Sequence, residues 1–96
     1  MLLEPPGGWV LRLSAHARRR MAERGVGLGE VEEALREPVQ LVYDTLRDTY
    51  LALGANGVAV VYAARGRTVE VVTVLRRREY EALLRRLGPR RYRVVE

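Results

Sequence analysis

A chain of 96 residues, 48% of them hydrophobic, suffices for one domain and leaves no room for two independent cores. It has no cysteine, which excludes disulfides and thiolate chemistry, and its single histidine leaves too few soft ligands for a structural zinc site. The net charge of +5 and an isoelectric point near 10.4 invite a nucleic-acid partner, because clustered cations bind phosphates through counterion release.

All 17 basic residues are arginine, and lysine, isoleucine and phenylalanine are missing. The three missing types share A- or T-rich codons, so a GC-rich genome accounts for the pattern, and where the arginines sit matters more than their number. The longest nearly apolar runs, Val58–Ala64 and Val69–Leu75, are too short to cross a bilayer, so no membrane role is expected. The opening "MLLEPPGGW" lacks the basic start and long apolar stretch of a secretory signal, and the expected location is cytoplasmic.

"EPPGG" (Glu4–Gly8) reads as a turn-rich lead-in, and "WVLRLS" as a short strand with Trp9, Leu11 and Leu13 on one face. Ser14 is a good N-cap for a helix running to about Arg24, which Gly25 stops in a left-handed conformation. A second helix fits Leu28–Arg36, with Leu28, Val31 and Leu35 on one stripe, and Gly27 with Glu30 forms half a capping box. Pro38 ends it, since the residue before proline is pushed out of the helical region.

The period then changes. Residues 39–46, 49–54, 58–65 and 68–75 are rich in β-formers, and the connectors "RD", "ANG" and "GR" are short enough for hairpins. Three tight connections in a row predict an antiparallel meander, whose third and fourth strands are apolar on both faces and are expected to be central. Residues 78–88 form a closing amphipathic helix with Tyr80, Leu83, Leu84 and Leu87 inward, stopped by Gly88-Pro89. The whole predicts one α+β domain over 1–96: a short N-terminal strand, two helices, a meander of about four strands and a C-terminal helix. Its core spans 9–88, and the basic tail 89–96 either adds an edge strand or lies free.

On the first helix, His16, Arg20 and Arg24 fall within about 80° of one another at 100° per residue. Ala17 and Met21 occupy the adjacent, core-facing sector, so this polar stripe borders the buried face. A histidine exchanges protons near neutrality, and neighbouring guanidiniums hold a phosphate and offset charge developing on it. Metal-free RNA cleavage by the 2′-hydroxyl requires those groups. Arg76, directly after the last strand, is a further phosphate ligand if the meander packs on this helix, with Tyr62 and Thr73 as cleft-lining residues. Glu23 is placed to orient the imidazole. The competing reading makes His16 a surface residue, pairs Arg20 and Arg24 with Glu23, Glu30 or Glu33, and treats Tyr62 and Thr73 as β-formers.

The run "HARRRMAERGVGLGEVEEALREP" resembles an uncharacterised bacterial domain-of-unknown-function family whose opening reads His-Ala-x-x-Arg-Met-x-x-Arg-Gly. The likeness continues through "YLALG", "VAVVYA" and "VVTVL", spanning about residues 13 to 76. Members look like the small toxin ribonucleases of the RelE superfamily, including its BrnT-like branch, in which two helices precede an antiparallel sheet. The resemblance implies a RelE-like fold, with His16, Arg20 and Arg24 as the characteristic polar positions, Gly25 as helix stop and Thr73 on the central strand. The chain departs from the pattern at Gly27 and Gly29, where a hydroxyl cap and a helix former are usual.

The leading expectation is a toxin-type, metal-independent protein that cleaves or binds RNA and needs no cofactor. In it His16 acts as general acid or base, Arg20, Arg24 and Arg76 bind phosphate, and a cognate antitoxin is the protein partner. A noncatalytic nucleic-acid-binding module and a homodimeric protein-interaction domain are the alternatives.

Overall fold

Ser14, the only serine in the chain, joins three elements. It follows strand β1 (Val10–Leu13) and precedes helix α1 (Ala15–Arg24). Its Oγ accepts the Ala17 N–H at 2.9 Å, the N-cap bond the sequence predicts, and donates at 3.0 Å to the carbonyl of Val72. Its own N–H reaches the Val71 carbonyl at 3.1 Å. One side chain therefore starts a helix and fastens it to a distant strand. These details come from a computed structural model, which describes residues 9–95; the expected Glu4–Gly8 lead-in lies outside the described residues.

Helix α1 buries Ala17 and Met21 and ends at Gly25, whose φ of 65° is the left-handed conformation expected there. In helix α2 (Leu28–Arg36), Glu30 accepts the Gly27 N–H at 2.9 Å, and Val31, Ala34 and Leu35 turn inward. This helix lies close to the sheet at Gly54. A Cβ there would stand 3.0 Å from the backbone of Ala34 and 2.7 Å from the Asn56 side chain, so the approach requires glycine.

The meander consists of β2 (Pro38–Asp44), β3 (Thr49–Gly54), β4 (Val58–Arg65) and β5 (Thr68–Arg76), each antiparallel to the next. Strand β2 stops two residues earlier than expected for a local reason. The Asp44 carboxylate accepts the N–H groups of Leu46 and Arg47 at 3.0 and 3.2 Å, folding the chain into a turn. Helix α3 (Arg77–Leu87) follows β5, and the tail supplies a short strand β6 (Tyr92–Val94).

The sheet order is β1-β5-β4-β3-β2-β6. Strand β6 adds to β2 at one edge, resolving the two alternatives for the tail. At the other edge β1 pairs in parallel with β5, which makes the sheet mixed, a feature the short hairpins did not announce. Strand β5 is accordingly next to an edge, and β4 and β3 hold the centre.

Helices α1 and α2 cover one face of the sheet through a core that includes Val31, Val60, Val71 and Val74. Helix α3 covers the other through Val42, Leu51, Leu75 and Tyr80. Strand β5 contributes to both, and a bulge decides which of its residues face which side. Val61 opposes Thr73 and Tyr62 opposes Val71, so Val72 is an extra residue that reverses the alternation beyond it. The Val72 carbonyl at this irregularity is the one that Ser14 bonds. Replacing Ser14 by alanine removes the cap and strands that carbonyl together, and is expected to cost about 1–2 kcal/mol in urea unfolding. A loss within experimental error of zero contradicts the joint role.

Candidate functional site

The sequence places Arg20 and Arg24 one turn apart on α1, and the fold brings Arg76 beside them. What they share is Glu79, on the first turn of α3. Arg24 grips its carboxylate with two prongs, Nε to Oε1 at 2.9 Å and Nη2 to Oε2. Arg20 approaches Oε2 at 3.6 Å through Nη2, and the backbone N–H of Arg76 donates to Oε1 at 2.9 Å. The last bond is half of a capping box, in which the helix's third residue reaches back to the cap residue.

The guanidinium of Arg76 points elsewhere. It donates to the carbonyls of Arg24 and Gly25 at 2.7 and 3.4 Å and lies 4.0 Å from Glu30. Arginine at the start of α3 sits at the unfavourable end of that helix, but this side chain occupies the C-terminal end of α1, where a cation is favoured. The stripe thus forms a cluster whose cations are matched by Glu79, Glu23 and Glu30. Glu79 was missed in the sequence, although Arg76-x-x-Glu79 ahead of an amphipathic run carries the spacing of a capping box.

His16 is exposed, and among the described residues it has no hydrogen-bond or ion-pair partner. Glu23, placed to orient the imidazole, instead lies 3.4 Å from Arg24. Tyr62 packs on the α1 side of the sheet, its ring stacked on Tyr50 at 5.5 Å, and Tyr50 lies 5.1 Å from Tyr43. Burial pushes the Tyr62 phenol up to about 12, so it exchanges no proton near neutrality. The expectation that Thr73 lines the same cleft requires correction. The bulge at Val72 turns it to the α3 side, away from His16 and the arginine stripe.

Thr73 lines a different space, a cavity of about 420 Å³ between α3 and the sheet. Leu51, Val61 and Leu75 form its floor, Leu83 and Leu87 face them from the helix, and Arg47, Arg86, Arg91 and Asp44 stand around it. Asp44 is only 3% exposed. Burial pushes its carboxyl up, but Arg91 at 3.0 and 3.1 Å and the two turn N–H groups outweigh this and hold it below the ordinary range. The sequence reading missed this surface because its residues come from a turn, several strands, a helix and the tail. Among the described residues, no group of three histidine or acidic side chains is placed to hold a metal, and no helix is long and apolar enough to span a membrane.

The pair of hydrogen bonds donated by Arg24, reinforced by the Arg76 N–H and by the charges of Arg24 and Arg20, outweighs burial and lowers the Glu79 carboxyl from the ordinary 4.5 to about 2. A carboxylate depressed in the folded state stabilises fully above its unfolded value, and that contribution is lost as pH falls through the folded value. Unfolding free energy should therefore decline between about pH 5 and pH 2. Urea titrations of Glu79→Gln should show a shallower decline, with the share of Asp44 retained. An unchanged slope in the variant contradicts the assignment.

Residues 13–76 match a family described as a domain of unknown function, DUF4258, over more than half of the chain. No curated protein matches, and no solved structure does. The matched segment begins at the end of β1, contains both helices of the His16–Arg20–Arg24 face, and closes at Arg76. The chain belongs to the DUF4258 family.

Proposed function

We propose that this domain is a toxin-type protein of RelE-like ancestry, near the BrnT-like branch, that binds single-stranded RNA through the face carrying α3. The observation that carries this reading is the segregation of charge between the two faces. Helix α2 presents Glu30, Glu32 and Glu33, followed by Glu37, on the side it shares with α1, where they offset the exposed Arg18, Arg19 and Arg36. On the other side Arg78, Arg85 and Arg86 of α3 and Arg90 beyond it are exposed. Among the described residues their guanidiniums have no hydrogen-bond or ion-pair partner. A face of unpaired guanidiniums binds phosphates and releases counterions, whereas arginines already neutralised by carboxylates gain little.

The RelE-like part of the reading is supported by a helical pair ahead of an antiparallel meander. Binding is favoured over catalysis at His16 because Arg24 is committed to Glu79, Arg20 is ion-paired with the same carboxylate, and the imidazole has nothing to orient it. The exposed edge of β6 gives an antitoxin, or a second copy of the chain, a place to add a strand. Val94 and Val95 are 63% and 53% exposed there, beside unpaired backbone groups.

Fluorescence anisotropy of a labelled single-stranded RNA in EDTA tests the reading. Affinity should fall steeply with salt, and Arg78→Gln or Arg85→Gln should each reduce the log–log slope by ~0.7. Arg18→Gln and His16→Ala should leave it unchanged, and the RNA should remain intact. Cleavage that His16→Ala abolishes restores the catalytic reading, and a slope indifferent to α3 overturns the binding face.

A further inference from the structure

We infer that the cavity beneath α3 is a nucleotide pocket. It takes a base on its apolar floor against the Thr73 hydroxyl and the attached phosphate between Arg47 and Arg86. The inference rests on the RNA-binding reading of the same face and assigns one unstacked nucleotide a defined place within it.

The cavity's volume of about 420 Å³ falls within the roughly 300–1,000 Å³ of small-molecule sites. Its chemistry is divided. The floor of Leu51, Val61 and Leu75 offers apolar contact to a planar ring. Thr73 belongs to that lining, and its Oγ1, buried just beneath the cavity surface, has no hydrogen-bond partner among the described residues. Such groups are normally satisfied, and a buried one left unpaired costs free energy until something bonds it. A lone water needs several polar neighbours, which this floor does not supply.

The cations at the cavity's side are uncompensated. Asp44 is fully occupied by Arg91 and the turn amides, and the guanidiniums of Arg47 and Arg86 have no hydrogen-bond or ion-pair partner among the described residues. Both line the cavity beside Tyr92. Burial and the charge of Asp44 push the Tyr92 phenol up, while the charges of Arg91, Arg47 and Arg86 pull it down. A ligand that fits is an anion with an apolar, planar body and a polar edge at the far end. A nucleotide has all three, whereas an alkyl carboxylate leaves Thr73 unbonded. The exposed Arg85 and Arg90 continue the cationic surface outward for the adjoining phosphates of a strand.

Titrations of the full chain with AMP and UMP, followed by calorimetry and backbone amide shifts, test the pocket. At least one should bind saturably with shifts at Thr73, Arg47 and Arg86, and inorganic phosphate alone should bind at least about tenfold more weakly. Arg86→Gln and Thr73→Val should each weaken binding about tenfold. Thr73→Val should also leave the urea midpoint unchanged or higher, since it deletes an unsatisfied hydroxyl, an outcome that a purely structural threonine would not give. Equal nucleotide affinity in Thr73→Val, phosphate binding as tight as AMP, or tighter binding of decanoate overturns the pocket. Salt-dependent RNA binding without saturable mononucleotide binding overturns the pocket alone, and mononucleotide binding without RNA binding overturns the RNA reading alone. Absence of both overturns both.

Discussion

The carboxylate of Glu79 joins the two helical layers around the open side of β5. Strand β1 pairs with β5 only as far as Val71, so residues 72–76 have β4 on one side and no strand on the other. Side chains close that gap. Ser14 takes the Val72 carbonyl at its start, and at its end Arg24 and Arg20 from α1 meet Glu79 from α3 while Arg76 caps the last turn of α1. Without Glu79, three guanidiniums would stand together with only Glu23 and Glu30 nearby. Arg20 and Arg24 therefore have a structural role in this chain that involves no substrate.

That reason redirects attention from the stripe to the opposite face. Arginines held by carboxylates present little positive potential, and the acidic α2 shares their side of the sheet. On the α3 side Arg78, Arg85, Arg86, Arg90 and the turn residue Arg47 are left without partners among the described residues, whereas the exposed Arg18, Arg19 and Arg36 of the other side share their surface with the carboxylates of α2. The β5 bulge fits this division, because it gives the α1 side valines and the α3 side Thr73. One irregularity in a strand thus sets which face receives the Thr73 hydroxyl.

Much of this was legible in the sequence wherever the signal is local. Ser14 and Gly25 bound α1 by capping chemistry, and the 3.6-residue period places His16, Arg20 and Arg24 beside Ala17 and Met21. The short connectors dictate the meander. The parallel pairing of β1 was not legible, because a four-residue strand does not announce its partner across two helices and a meander. Strict alternation from Val69 and Val71 carries Thr73 to the α1 side, and only the extra residue at Val72 reverses it. Glu79 lies 55 residues from Arg24, and no periodicity connects them. The basic cavity collects residues from the sheet strands, the β2–β3 turn, α3 and the tail, so it exists only once the chain has folded.

The most direct test is to map the RNA footprint on the labelled domain by the backbone amide shifts a short single-stranded RNA induces. Shifts concentrated on α3, the Arg47 turn and Arg90, with α1 nearly silent, are the predicted result. Shifts centred on His16, Arg20 and Arg24 would contradict the account, because the stripe held by Glu79 would then be the surface that meets the ligand.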